Sequence, residues 1–186
     1  MNQTIWVVVL LLLLSGTQFY PQAAKRTTVH REQTEFGAEG DFEHPVVISG
    51  AALQSLRAST DSDDSIQMCA QDERIQVNTI PASWFVASEI RLSRAPSSGL
   101  VIRGEHLCLR GAHIAQFWVL TNSTAGYRIV FSGRADALRV LPTRTNGYRD
   151  LQLIIVTQAG DYVDYVNFRY RNGRYHKAGD RLEHPN

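Results

Sequence analysis

Few residues in this chain have both the type and the spacing that chemistry needs. His106, Cys108 and His113 fall within "GEHLCLRGAH", an H-x-C-x4-H spacing that offers three soft metal ligands. No fourth ligand stands beside them and Cys108 has a competing use, so the stretch reads as a turn between strands, with no metal. The acidic run "DSDDS", Asp61 to Ser65, has the carboxylate density of a calcium loop without its central glycine or its twelfth-position glutamate. It reads as a solvated loop. There is no G-x-S-x-G elbow, no phosphate-cradling glycine loop, and no catalytic signature around either cysteine. Of six histidines, His30, His44 and His184 fall in or beside segments that read as unstructured. Glu89, Asp136, Asp150, Asp161 and Asp164 are the acids on predicted strands and turns, and each suits a solvated face or a corner. Sequence distance does not say whether two of them meet, as glycoside hydrolysis would require. The expectation is no catalytic residue, no metal and no cofactor.

Cys69 and Cys108 are the only cysteines. An even count in an exported chain permits one disulfide, and two buried thiols are the alternative. A bridge between them would close a loop of about 40 residues and contribute roughly 3–4 kcal/mol. Export is read from the N-terminus, "MNQTIWVVVLLLLLSGTQFYPQAAKR". Ile5 to Leu14 is an apolar run of ten residues, the length of a signal-peptide core and about half of a membrane span. No Lys or Arg precedes the run, and the cleavage site is soft, with small residues at Ser15-Gly16-Thr17 and another choice after Ala24. Residues 1–24 are therefore expected to be a secretory signal, with an uncleaved membrane anchor as the competing reading. The protein would be periplasmic or extracellular.

A chain of 186 residues is long enough for one well-formed core and short for two. Hydrophobic residues make up 44% and charged residues 20%, values of a folded domain. Lys plus Arg total 19 against 18 Asp plus Glu, a balance that gives no field for phosphate backbones, so no nucleic-acid partner is expected. Residues 25–44 are polar and without period, and read as a flexible leader. Residues 45–177 read as a β-rich globular domain, and 178–186 as a flexible tail. At the entrance, Ser49 is a candidate N-cap with Ile48 as its staple. Ala52, Leu53 and Leu56 share a face of one short helix. From "SWFVASEIRL" onward, short β-branched and aromatic runs are separated by Gly, Pro, Asn and Asp at intervals of roughly ten residues, the pattern of an antiparallel sandwich, barrel or blade-like domain. Asn146-Gly147 and Asn172-Gly173 are hairpin signals, because a type I′ turn needs positive φ at both central positions. Asp150 is read as accepting backbone hydrogen bonds at the first of these corners.

The segments "PASWFVASEIRL", "LRGAHIAQFWVLTNSTAGYRIVF", "LRVLPTRTNGYRDL" and "FRYRNGRY" together resemble a group of uncharacterised exported bacterial proteins. These carry a Phe-Trp strand, an Asn-Gly-Tyr-x-Asp turn and a terminal tyrosine-flanked hairpin. The resemblance spans about Pro81 to Tyr175 and implies compartment and fold only, since the group has no known activity. "IRLSRAPSSGLVIRG" and "TNGYRDLQLIIV" are also similar to blade units of β-propeller repeats of the FG-GAP kind. Ser93, Arg94, Ala95 and Pro96 stand where that family's acidic calcium ligands would be. Asn122-Ser123-Thr124 is a glycosylation sequon, but the resemblance is bacterial, and no glycan is expected there.

Binding is the more economical functional reading. Tyr148, Tyr162, Tyr165, Tyr170 and Tyr175 interleave with Arg144, Arg149, Arg169, Arg171 and Arg174, and Tyr and Arg are enriched at recognition hot spots. Tyr148, Arg149, Tyr165, Arg169, Tyr170 and Arg171 are the candidate binding surface. Along "DYVDYVNFRY", Tyr162, Asp164, Val166, Phe168 and Tyr170 share one face, while Val163, Tyr165, Asn167 and Arg169 share the other. One face must be core, and ordinary cross-strand pairing is the alternative for all of these aromatics. The expectation is a non-enzymatic binding module of the cell envelope or extracellular space, with a protein or glycan partner. An envelope hydrolase or a structural envelope component is the alternative.

Overall fold

Among the described residues ten strands form two antiparallel sheets of five, eight of the strands lying from Phe85 onward. One has the order β1-β7-β8-β9-β10: Glu35–Gly37, Ala137–Thr145, Tyr148–Val156, Val163–Arg171 and Arg174–Glu183. The other has the order β2-β3-β4-β5-β6: Pro45–Val46, Phe85–Ile90, Gly99–Gly104, Ala115–Ser123 and Gly126–Ala135. This computed structural model describes residues 32–59, 65–94, 99–157 and 160–184. The expected signal sequence and Asp61, Asp63 and Asp64 of the acidic loop lie outside the described residues. Among the described residues no helix is long and apolar enough to cross a membrane.

The two sheets pack face to face as a sandwich. Phe36, Val101, Phe117, Val119, Phe131, Leu138, Leu151, Leu153 and Val166 fill the space between them. The second sheet is buried on its other face too. Phe85, Ala87, Leu100, Ile102, Trp118 and Leu120 point away from the sandwich and pack under α1 (Gly50–Arg57) and α2 (Ser65–Asp72). Residues of both parities are therefore apolar in β3, β4 and β5, which is why "GLVIRG" and "QFWVL" are continuous runs, the composition of a strand covered on both sides.

Helix α1 starts where Ser49 Oγ accepts from the Ala52 amide at 3.2 Å, and it buries Ala52, Leu53 and Leu56. Helix α2 is one the sequence reading does not anticipate: Ile66, Cys69 and Ala70 are its buried stripe. Two assignments are corrected. Within the segment read as a flexible leader, Glu35–Gly37 pairs with β7, and Phe36 and Phe42 are buried, because two aromatic rings offset the cost of ordering a short polar stretch. Residues 178–183, read as tail, continue β10 and pair with Asn167 to Val163 across a bulge between Lys177 and Gly179.

Two arginines close the fold's backbone accounts. Arg103, only 3% exposed, donates from Nη1 to the Gly37 and Gly40 carbonyls at 2.6 and 2.8 Å and from Nε to Glu105 at 2.7 Å. Its guanidinium also lies over the Phe42 ring. Arg149 serves the irregular stretch of β7 between Val140 and Arg144, where Pro142 interrupts the ladder. It donates to the Val140 and Leu141 carbonyls at 2.7 and 2.8 Å and pairs with Glu32 at 3.0 Å. Arg103→Ala removes a buried guanidinium that bonds the Gly37 and Gly40 carbonyls and leaves Glu105 without it, and is expected to lower unfolding free energy by about 3 kcal/mol. Arg139→Ala breaks only an exposed pair with Glu35 and is expected to cost about 0.5 kcal/mol or less. Urea denaturation of the two variants beside the parent checks both the order and the gap.

Candidate functional site

The two Asn-Gly turns are two-residue hairpins. Asn146 and Gly147 have φ of 51° and 82°, and Asn172 and Gly173 have 47° and 85°. They place the tyrosines of β8, β9 and β10 in one stack. Tyr148 and Tyr170 are parallel with ring centres 3.8 Å apart, and Tyr170 meets Tyr175 edge-on at 5.3 Å. Asn146 Nδ2 donates to the Tyr170 carbonyl at 2.8 Å, and the Tyr175 hydroxyl to the Arg149 carbonyl at 2.6 Å.

This corrects half of the expected Tyr-Arg surface. Tyr170 and Arg149 are buried, and Tyr148 packs against the core. Asp150 is corrected as well: it lies within β8 rather than at the corner, it is buried, and its Oδ1 has no hydrogen-bond partner. Tyr165, Arg169 and Arg171 occupy the opposite, outer face of β9, where Arg169 and Arg171 are exposed and Tyr165 is half-buried beneath Arg181. That outer face is built in cross-strand rows. Glu35, Arg139, Gln152 and Asn167 form one, with Arg139 Nε donating to Glu35 at 2.8 Å and Gln152 Nε2 to Asn167 Oδ1 at 3.0 Å. Ala137, Ile154, Tyr165 and Arg181 form the next, and Val156 and Val163 follow.

At Val156 the outer face runs into a cleft of about 770 Å³ at one end of the sandwich, within the range of small-ligand sites. Four chain segments meet there: the end of β1 (Gly37, Glu39), the loop before β5 (Ala112, His113, Ile114), the β6–β7 corner (Asp136) and the β8–β9 loop (Val156, Thr157, Gly160). Glu39 Oε1 is bonded to His113 Nδ1, and both side chains are mostly exposed. Asp136 Oδ2 accepts from the Val156 amide at 2.9 Å, which fixes the corner beside them. Ala112, Ile114 and Val156 supply the apolar part of the lining. Sequence reasoning missed Glu39 and Thr157 altogether and treated His113 and Asp136 in separate contexts. Glu89, Asp150 and Asp164 do not line this cleft.

A second cluster sits under α2. Cys69 and Cys108 are bridged, with Cα atoms 5.3 Å apart, which ties α2 to the 3-10 turn Leu107–Leu109. That turn packs closely on the end of β4: a Cβ at Gly104 would meet Leu109 Cβ at 2.5 Å. His106 lies beside the bridge, stacked on Trp84 with ring centres 3.9 Å apart. His113, grouped with these residues by sequence spacing, belongs instead to the end cleft. The fold and these sites define an antiparallel β-sandwich, helix-covered on one side and open on the other, with a polar-rimmed cleft at one end. No family model, curated protein or solved structure matches the chain.

Burial, and next the negative charge of Asp150, push the Tyr175 phenol well above its ordinary 10.0, and burial likewise raises Tyr170. The neutral phenol is thus the form that folding favours. Its contribution is complete below about pH 10 and is lost as the pH rises toward the folded-state value. Tyr175→Phe is expected to be less stable than the parent by about 1 kcal/mol at neutral pH, for the lost hydrogen bond, with the gap narrowing above about pH 10. Denaturation midpoints of both proteins across that range test this, and a gap that is flat with pH would refute it.

Proposed function

We propose that this chain is a non-enzymatic binding module of the cell envelope or extracellular space. Its contact surface is the end cleft together with the outer face of β7, β8 and β9, and its partner is a protein or glycan. One observation carries the reading: Val156, 42% exposed, belongs both to the cleft and to the outer face. A concave pocket and a flat surface that carries Tyr165, Arg169, Gln152 and Asn167 are thereby continuous. Such a surface joins an apolar anchor to directional donors, the combination found at recognition hot spots. The exported compartment is part of the proposal and rests on the N-terminal apolar run.

Recovery of the tagged protein from its own envelope after mild crosslinking, read by mass spectrometry, is the test. One dominant partner is expected for the parent. Its affinity should fall at least about tenfold in Tyr165→Ala/Arg169→Ala and again in Val156→Asp, while the folded circular dichroism is kept. Equal recovery by the parent and both variants would refute the assigned surface.

A second reading, a hydrolase of envelope glycan or peptide, is favoured by the presence of His113, Glu39 and Asp136 in the lining of one cleft, with Glu39 hydrogen-bonded to the imidazole. It expects turnover of an envelope glycan or peptide that His113→Ala and Asp136→Asn each abolish. Binding without turnover would exclude it.

A further inference from the structure

The residues around the disulfide are more than a bridge requires. Cys69 Sγ, Cys108 Sγ and a nitrogen of His106 all lie within 4.8 Å of one another. His106 Nδ1 is 2.9 Å from Cys108 Sγ and 3.7 Å from Cys69 Sγ, so one edge of the imidazole faces both sulfurs. Its other nitrogen, Nε2, is 3.7 Å from Glu73 Oε1. With an ion on Nδ1 the ring proton stands on Nε2, the side on which this carboxylate lies, which is the outer-shell arrangement of metal-bound histidines. Trp84 stacks on the ring with an interplanar angle of 22° and fixes its plane.

We propose that the reduced chain binds one borderline-soft divalent ion, of the Zn²⁺ class, through Cys69 Sγ, Cys108 Sγ and His106 Nδ1. The disulfide and the ion are then alternative occupants of the same corner. A dithiol reductant supplies two electrons and two protons, becomes a disulfide itself, and leaves Cys69 and Cys108 as thiols. The ion displaces both thiol protons, and two thiolates with a neutral imidazole cancel its charge.

The geometry allows the exchange. Two thiolates on a tetrahedral ion sit about 3.8 Å apart, given metal–sulfur bonds of about 2.3 Å, against about 2 Å in a bridge. Rotation about the two Cα–Cβ bonds supplies that difference. Cys69 is 1% exposed and Cys108 is half-buried, so reductant and ion arrive from the Cys108 side, where a water completes the fourth position. Two thiolates and an imidazole select Zn²⁺ or Co²⁺ over Mg²⁺ or Ca²⁺, which take oxygen ligands.

The test uses the chain in both redox states. One sample stays oxidised; the other is reduced with a dithiol, freed of it by gel filtration without oxygen, and titrated with Co²⁺. The reduced protein is expected to bind one Co²⁺, with thiolate-to-metal charge transfer and the intense visible bands of a tetrahedral site. Excess Zn²⁺ should displace the cobalt, and the oxidised protein should show no such spectrum. Glu73→Gln is expected to keep the spectrum and weaken binding about tenfold or more, and His106→Ala to weaken it further and alter the bands. Native circular dichroism in the reduced, metal-free state is recorded alongside. Absence of one-to-one binding by a folded reduced chain overturns the proposal. So does equal affinity in His106→Ala, an octahedral spectrum, or loss of the native fold on reduction alone.

Discussion

A sheet covered on both faces governs the rest of this molecule. Strands β3, β4 and β5 turn apolar side chains to both sides, Val101, Phe117 and Val119 inward and Ile102, Trp118 and Leu120 outward, so each face needs its own cover. The inner cover is a second sheet that brings its own hydrogen-bond ladder. The outer cover consists of two helices of eight residues each, a length that does not hold a helix in water by itself. Each is consequently tied down. The first has its Ser49 cap, a bond from Ser55 Oγ to the Tyr127 carbonyl at 2.7 Å, and Arg57 donating to the Ile80 carbonyl. The second has the Cys69–Cys108 bridge, which anchors it to the turn after β4. Trp118 stays dry because these ties hold.

The same economy explains why two arginines are inside. A chain that enters a sandwich through a short strand, and passes a proline within another, leaves carbonyls that no ladder reaches. A buried carbonyl without a donor costs about as much as a lost hydrogen bond. A guanidinium is suited to such places because its planar donors reach several acceptors at once and its charge is delocalised. Arg149 does this for Val140 and the neighbouring Leu141, and Arg103 gathers the less deeply placed carbonyls of Gly37 and Gly40. Both positive charges meet a carboxylate, Glu105 and Glu32, so neither is buried uncompensated.

The β-rich class, the entrance helix and its cap follow from local pattern and turn chemistry, and these were legible in the sequence. The bridge was legible as one of two states of the cysteines. What was not legible lies where the chain meets itself from afar. Period two divides β9 into two faces, but both carry tyrosines, so it cannot say which is core; the partner sheet decides in favour of Val166, Phe168 and Tyr170. Arg149 looked like a recognition residue because nothing local reveals that Pro142 and the bulge in β7 leave carbonyls for it to satisfy. Helix α2 has only Ile66, Cys69 and Ala70 as its stripe, too little to be read without the sheet it covers. The end cleft draws on four segments more than a hundred residues apart at their extremes, and no spacing rule joins Glu39 to His113.

Once those structural demands are met, the polar residues that the fold does not use become visible. Tyr148, Tyr170, Tyr175, Arg103 and Arg149 are committed to packing and to carbonyls. The Glu39–His113 hydrogen bond is exposed, and exposed polar pairs add little to stability, so it is not what holds the loop before β5 in place. A disulfide needs no imidazole to stabilise a fold, yet His106 turns one nitrogen to both sulfurs and the other to Glu73, and Trp84 keeps it there. The two places share a design: each is a histidine with a carboxylate beside it, set at an end of the sandwich's helix-covered sheet where backbone pairing stops. At such ends side chains are free of the ladder's register, and chemistry can be placed there without disturbing a sheet that must stay covered on both faces.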